Sequence, residues 1–287
     1  MSTELHRYFD YQRGKEMLDR KQLWLSHIQC YNDPFEMLPA TKHFDLLSKS
    51  IEEAQRELGQ MRKTSEGQAL LEKFEPPKVT NIWKKVGLIA AKGVLDPLLS
   101  ILLAGIYTYD NYNFPDSKTE EWKRLLMYVQ KYLPLLMQVK GCCFSTTPDS
   151  VLMWTHYADW NNGLVVTFNT AKEFWKEEHF QPITYTNERI QLPDENTDEN
   201  KYVWDILTRK STDWKYEKEW RLISFSMRNQ NYLNIDPRVV TAIYLGLNVT
   251  NAQQKNILKI QKAKYPHAKV FRMKRNNSNY KLEYEQI

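Results

Sequence analysis

Cysteine is scarce in this chain: only Cys30 and the adjacent pair Cys142 and Cys143 are present. They form no CxxC and leave an odd thiol, which excludes a disulfide framework and points to a reducing cytoplasm. Nucleotide-binding fingerprints are missing as well. There is no GxxxxGK[ST] and no GxGxxG, so neither a P-loop nor a Rossmann turn is available. No GxSxG elbow exists for a serine hydrolase of that type. The six histidines are scattered without HExxH or HxH spacing, and the cysteines cannot build a zinc site alone. Met1 to Asp10 is polar and charged, with no apolar core behind a basic start, so export is not expected. The chain has no internal repeat and no extended low-complexity segment.

Long apolar runs are equally rare. Val86 to Tyr109 is the one stretch long enough to raise a membrane span, and Lys92, Gly93, Asp96 and Pro97 cut it in two. Two short buried helices account for those interruptions, so a membrane is not an expected partner. Acidic residues are missing from Pro237 to Leu282, where ten Lys or Arg stand, so the net charge of +5 is local. Region 237–282 is a candidate contact for DNA, RNA or a dinucleotide phosphate; a solvated helix face is the plainer reading of a Lys run. What the chain has in quantity is flat rings, 9 Trp and 17 Tyr, enough to wall several pockets. Its 287 residues suffice to bury roughly 70% of the unfolded surface without staples.

Periodicity divides the chain. Leu5 to Phe9 reads as a first strand, Gln12 to Arg20 as a short helix, and the region of Trp24 as a second strand. From Lys42 to Gln138 the spacing is helical, with Phe44, Leu47, Ile51, Ala54 and Leu58 recurring at three and four. Strand signals return at Val139 to Ser145, Gly163 to Phe168, Ile183 to Tyr185, Trp220 to Phe225 and Val239 to Leu245. Thr250 caps a helix through Lys264, and Lys269 to Met273 follows as a strand, so the close is β-α-β and part of the sheet is expected to be parallel. Asp194 to Asn200 is expected to be an exposed loop. The fold class is therefore α+β: a mixed central sheet, a large helical insertion and a C-terminal β-α-β unit. Residues 1–40 and 139–287 form the mixed domain and 41–138 the insertion, a candidate surface for a regulatory partner.

Three short stretches concentrate polar chemistry. In QLWLSHIQCYNDPFE, from Gln22 to Glu36, a strand signal runs at once into Asn32, Asp33 and Glu36, with Pro34 forbidding a continued ladder. Asn-Asp-Pro starts a turn, or it delivers ligand groups. Glu217 and Glu219 stand just before the apolar run Leu222-Ile223-Ser224-Phe225. In a strand they share a face, where mutual repulsion raises one pKa and suits paired acid and base work, and Arg221 continues the row. Alternating exposed charge is the plainer alternative. The third stretch is Met153-Trp154-Thr155-His156-Tyr157, on a helix opened by the cap-rich Ser145 to Asp149; residues 153, 156 and 157 share one face. A histidine there is usually structural and sometimes a proton carrier.

Taken together and in order, LWLS (Leu23 to Ser26), NDPFE (Asn32 to Glu36), CFS (Cys143 to Ser145), MWTHYA (Met153 to Ala158) and EKEWRLI (Glu217 to Ile223) resemble a bacterial family known only as a domain of unknown function. That family looks similar to the ADP-ribosyltransferase fold, and some of its relatives look like toxin or phage-defence effectors. The resemblance implies a basic residue on the first strand, His6 or Arg7. It implies Trp24 with Ser26 on the next, Ser145 being the other serine in that role, and a glutamate within Glu217-Lys218-Glu219 leading into a later strand. It further implies NAD⁺ as substrate, no metal, and a macromolecular acceptor, protein or nucleic acid. On that reading Glu219 stabilises the oxocarbenium-like ribose and Glu217 orients or deprotonates the acceptor. Trp24, Trp154 or Tyr157 would stack on nicotinamide, with His156 beside them, and Arg7 or Arg221 would pair with the diphosphate. Asn32 and Asp33 would bond ribose hydroxyls or brace their loop.

Two other expectations compete. Asp33, Glu36, Glu217 and Glu219 are candidate Mg²⁺ ligands of a carboxylate nuclease. Alternatively, the chain is a non-catalytic module that senses a nucleotide in an aromatic pocket and holds nucleic acid along 237–282.

Overall fold

The computed structural model describes residues 4–28, 31–41, 120–136, 139–171, 179–225 and 231–287, together with 56, 60, 64, 65, 173 and 175. Most of the helical periodicity between Lys42 and Gln138, the apolar run at Val86 to Tyr109, and Cys30 lie outside the described residues. The chain divides into two compact units, one of residues 1–26, 140–187 and 210–287, the other of 27–139 and 188–209.

The first unit is α+β around a mixed sheet. β1 (Glu4–Phe9) lies between β4 (Lys140–Ser145) and β5 (Leu164–Asn169), antiparallel to both. Beyond β4 come β9 (Glu219–Ser224) and β6 (His179–Pro182); beyond β5 come β11 (Val240–Leu245), β12 (Lys269–Arg275) and β13 (Leu282–Gln286). β3 (Ser26–His27) also pairs with β4. β11 and β12 run parallel, joined by the helix Asn251–Lys264, so the expected closing β-α-β unit is present. Its helix starts with a full capping box, Thr250 accepting from the Gln253 N–H and Gln253 reaching back to the Thr250 N–H. Two smaller ribbons complete the unit: β2 (Gln22–Trp24) with β10 (Tyr232–Asn234), and β7 (Thr184–Tyr185) with β8 (Arg209–Lys210).

The central strands are buried on both sides because each face meets different cover. One face carries Leu5, Phe9, Cys142, Phe144, Phe168 and Leu222, packed with α1 (Tyr11–Arg20) and the C-terminal helix through Met17, Leu18 and Ile257. Asp10 caps α1 by accepting from the Arg13 N–H at 2.8 Å, and buried Gly14, Met17 and Leu18 follow at three-and-four spacing. The other face carries Tyr8, Val165 and Tyr244 under Met153 and Trp154, from a helix over Val151–Tyr157 whose N-cap is Ser150. That helix is followed by a run of left-handed residues, Asp159, Trp160 and Asn161, which turns the chain into Gly163. A Cβ on Gly163 would stand 2.0 Å from the Phe9 carbonyl oxygen, so the turn admits only glycine there.

The second unit contains consecutive helical stretches at Glu120–Met127, Tyr128–Tyr132 and Leu133–Leu136, plus a helix over Glu199–Thr208. Tyr128, Val129, Leu133, Val203 and Leu207 are buried, and the Tyr132 and Tyr202 rings meet at 4.7 Å between centroids. The stretch expected as an exposed loop, Asp194 to Asn200, is a loop only as far as Asp198. That aspartate accepts from the Lys201 N–H at 2.9 Å and starts the helix, so the acidic loop is in part a helix cap. Among the described residues no helix is long and apolar enough to cross a membrane.

Candidate functional site

Glu219 opens β9, and strand register places it directly opposite Ser145 of β4, which is itself opposite His6 of β1. Directly paired residues of antiparallel strands project to the same face, so His6, Ser145 and Glu219 form a row across three adjacent strands. Thr167 of β5 extends it, bonded through Oγ1 to His6 Nδ1 at 2.9 Å. Alternation removes the ambiguity between the first two basic residues. Arg7 belongs to the opposite face, where its guanidinium donates to the Cys143 carbonyl at 3.1 Å and lies over the Phe9 and Phe144 rings. Of the two serines, Ser145 occupies the row; Ser26 is half-buried on β3.

Glu217 does not lie on the strand as the spacing suggested. It ends a 3₁₀ helix over Thr212–Glu217, and Lys218 then takes a left-handed conformation, φ 46°, before β9 begins. Both carboxylates are nevertheless buried and meet one cation. Lys210 Nζ stands 2.6 Å from Glu217 Oε2 and 3.0 Å from Glu219 Oε2. Arg221, fully buried, donates from Nε to Glu219 Oε1 at 2.7 Å. Tyr157 donates its hydroxyl to Glu217 at 2.5 Å, and the Glu219 N–H donates to the Tyr185 hydroxyl at 2.7 Å.

These surroundings separate the two acids. Burial raises the Glu217 carboxyl above the usual carboxylate range, and Lys210 and Tyr157 offset that only in part. Burial would raise Glu219 too, but the charges of Arg221 and Lys210 outweigh it and bring the group down to about 2. Burial acts upward on both acids, so what separates them is the arginine beside Glu219 rather than mutual repulsion. Burial would lower Lys210, yet the two carboxylates raise it, so it stays an ammonium. The Cys143 thiol, bonded to Glu219, is pushed well up by burial and then by the Glu219 charge, so it is no ready nucleophile.

Other expected site residues stand elsewhere. Trp154 is wholly buried, its indole N–H donating to the Pro148 carbonyl at 2.7 Å and its ring edge-on to Tyr8, so it is core and offers no stacking face. Trp24 lies on the β2–β10 ribbon against Tyr232, ring centroids 5.0 Å apart. Arg221 is taken up as the counter-ion of Glu219, which leaves it no free fork for a diphosphate. His156 is exposed, with the Tyr157 and Tyr216 rings about 6 Å away, not sheltered among them. Of the three expected stacking rings, Tyr157 is therefore the one at the glutamates. Asn32 and Asp33 belong to the second unit, where Asp33 accepts from the Phe35 N–H at 2.9 Å and braces its own turn. Of the carboxylates weighed as Mg²⁺ ligands, Glu217 and Glu219 are ion-paired with Lys210 and Arg221, and among the described residues no group of three His, Cys, Asp or Glu could hold a metal. Sequence reasoning missed Lys210 altogether, because nothing in Thr208-Arg209-Lys210-Ser211 marks a buried cation.

Residues 153–222 match the family described as a protein of unknown function, DUF2971. The DUF2971 segment holds Tyr157, Lys210, Glu217, Glu219 and Arg221, whereas His6 and Ser145 stand outside it. No curated protein and no solved structure matches the chain.

The buried histidine carries a pH signature. Burial brings His6 down from 6.5 to about 4, against a smaller opposing pull from Glu4. Above pH 6.5 the ring is neutral whether folded or not; between 6.5 and 4 only the unfolded chain gains the proton, so stability falls as pH drops. The loss is on the order of 3 kcal/mol. His6→Gln is expected to remove that slope, read as urea midpoints between pH 7 and 4.

Proposed function

We propose that the chain is an NAD⁺-dependent ADP-ribosyltransferase-like effector, a toxin or anti-phage protein, acting on a protein or nucleic acid. On this reading the central sheet is of the ADP-ribosyltransferase kind. The observation that carries the reading is the row of His6, Ser145 and Glu219 on adjacent strands, with a second carboxylate beside it. In the reaction the bond between ribose C1′ and the nicotinamide nitrogen breaks, its electron pair leaving with nicotinamide. Positive charge develops on the ribose, and a permanently ionised Glu219 stabilises that state more than the ground state. The acceptor's lone pair closes the new bond at C1′, and its proton passes to Glu217, whose raised affinity for a proton suits a base. Tyr157 aligns Glu217 and offers the ring against which nicotinamide lies. Both glutamates are buried, so binding of NAD⁺ has to uncover them.

The acceptor side is read from the basic region. Lys264, Lys274 and Arg238 are engaged with Asp19, Glu285 and Asp236, while Lys255, Lys259 and Lys262 stay exposed along one face of the C-terminal helix. That stripe suits an anionic acceptor. Incubation with labelled NAD⁺ and bacterial lysate is expected to transfer label, and nuclease treatment of the lysate tells nucleic acid from protein as acceptor. Label that reaches no acceptor overturns the reading.

A further inference from the structure

Lys210 lies on a two-residue strand whose carbonyl accepts from the Thr186 N–H at 3.0 Å, and its side chain is almost wholly buried. Burying a lysine is strongly unfavourable unless its charge is met. Here it is met three times: by Glu217, by Glu219, and by the face of Trp214, whose centroid is 4.7 Å from Nζ. We propose that Lys210 is the positioning residue of this site: its ammonium, held between the carboxylates and seated on Trp214, keeps both in place and ionisable, while Arg221 beside Glu219 sets their unlike duties, charge stabilisation for Glu219 and proton transfer for Glu217. The inference rests on the ADP-ribosyl reading and deepens it.

The asymmetry comes from counting donors. Glu219 receives two cations, Lys210 and Arg221, with the Cys143 thiol also against it. Among the described residues the one cation on Glu217 is the shared lysine, and its other oxygen takes a neutral hydroxyl from Tyr157, with Tyr216 near. An acid held by two cations keeps its charge; one held by a shared cation and a phenol is free to take up a proton and return it. Lys210 itself cannot be the nucleophile, since two carboxylates keep its lone pair protonated. Without the lysine, two buried carboxylates would face a single arginine, and Glu217 would hold a proton permanently. The base would then be lost, and Glu219 would lose half of what holds it.

The test titrates the full chain carrying ¹³C-labelled glutamate side chains, as wild type, Lys210→Met and Lys210→Arg, alongside NAD⁺ label transfer. In wild type, one site carboxyl is expected to titrate above the ordinary glutamate range and the other to stay ionised into strong acid. Lys210→Met is expected to raise both midpoints by a unit or more and to lower kcat about 100-fold, within the usual contribution of a general base, with KM for NAD⁺ little changed. It should also move the acid limb of the kcat profile upward. Lys210→Arg, which keeps the charge, should bring both midpoints back toward wild type and restore part of kcat. Coincident midpoints in wild type, or a methionine variant that titrates like wild type, overturn the proposal. If the methionine variant does not fold, Lys210→Gln, read in the same titration, decides in its place. Absence of label transfer by wild type sinks the ADP-ribosyl reading alone, and the carboxyl titration still judges what Lys210 does to the two acids.

Discussion

Glu219→Gln is expected to lower label transfer from NAD⁺ by about 100- to 1000-fold, the range set by removing one preorganised electrostatic group from an active site. Glutamine is nearly isosteric and keeps an acceptor oxygen where Arg221 Nε now binds at 2.7 Å. What it removes is the negative charge that would meet the developing cation on the ribose. The loss should therefore fall on kcat, with KM for NAD⁺ changed far less. Initial rates at several NAD⁺ concentrations check this, with near-ultraviolet circular dichroism confirming the packed core. Undiminished transfer by a folded Glu219→Gln protein would exclude this carboxylate from the chemistry.

Arg221→Met is expected to destabilise the fold by about 3–5 kcal/mol, the usual cost of removing one member of a buried ion pair. Arg221 has no exposed surface and lies among side chains that cannot supply water in its place. A methionine fills much of the volume but leaves Glu219 with only Lys210. The measurement is the urea midpoint at constant slope. Acid dependence should change with it. In wild type Glu219 titrates near 2 in the folded state against about 4.5 when unperturbed, so its stabilisation is complete above about 4.5 and lost as pH falls toward 2. Without the arginine the folded carboxyl titrates higher, and that window narrows from below. A midpoint within 1 kcal/mol of wild type would show that Arg221 is dispensable to the core.

Local pattern foretold much of the first unit. β1, α1, β4, β5, β9, β11, the Thr250-capped helix and β12 fall within a residue or two of their expected places, because each is announced by β-branched alternation or by a cap at fixed spacing. The short strands β6, β8 and β10 escaped notice, since two to four residues carry no period. Asp33 was legible as a turn former, and a turn is what it makes. Trp154 was not legible as core, because an aromatic on a short helix reads alike whether it faces a ligand or a sheet.

The amino-acid sequence alone determined where the longer strands and the capped helices of the first unit lie, that the closing unit is β-α-β, and that two glutamates one residue apart stand at the entry to a buried strand; these depend on neighbours within a few positions. Only the tertiary structure decided that His6 rather than Arg7 shares a face with Ser145 and Glu219, because that depends on register between strands distant in the chain. It alone brought Lys210 between the two carboxylates. A lysine looks the same in sequence whether solvent or two buried acids receive its charge, and both the burial that raises Glu217 and the close charges that hold Glu219 and Lys210 ionised exist only once the chain has closed around them.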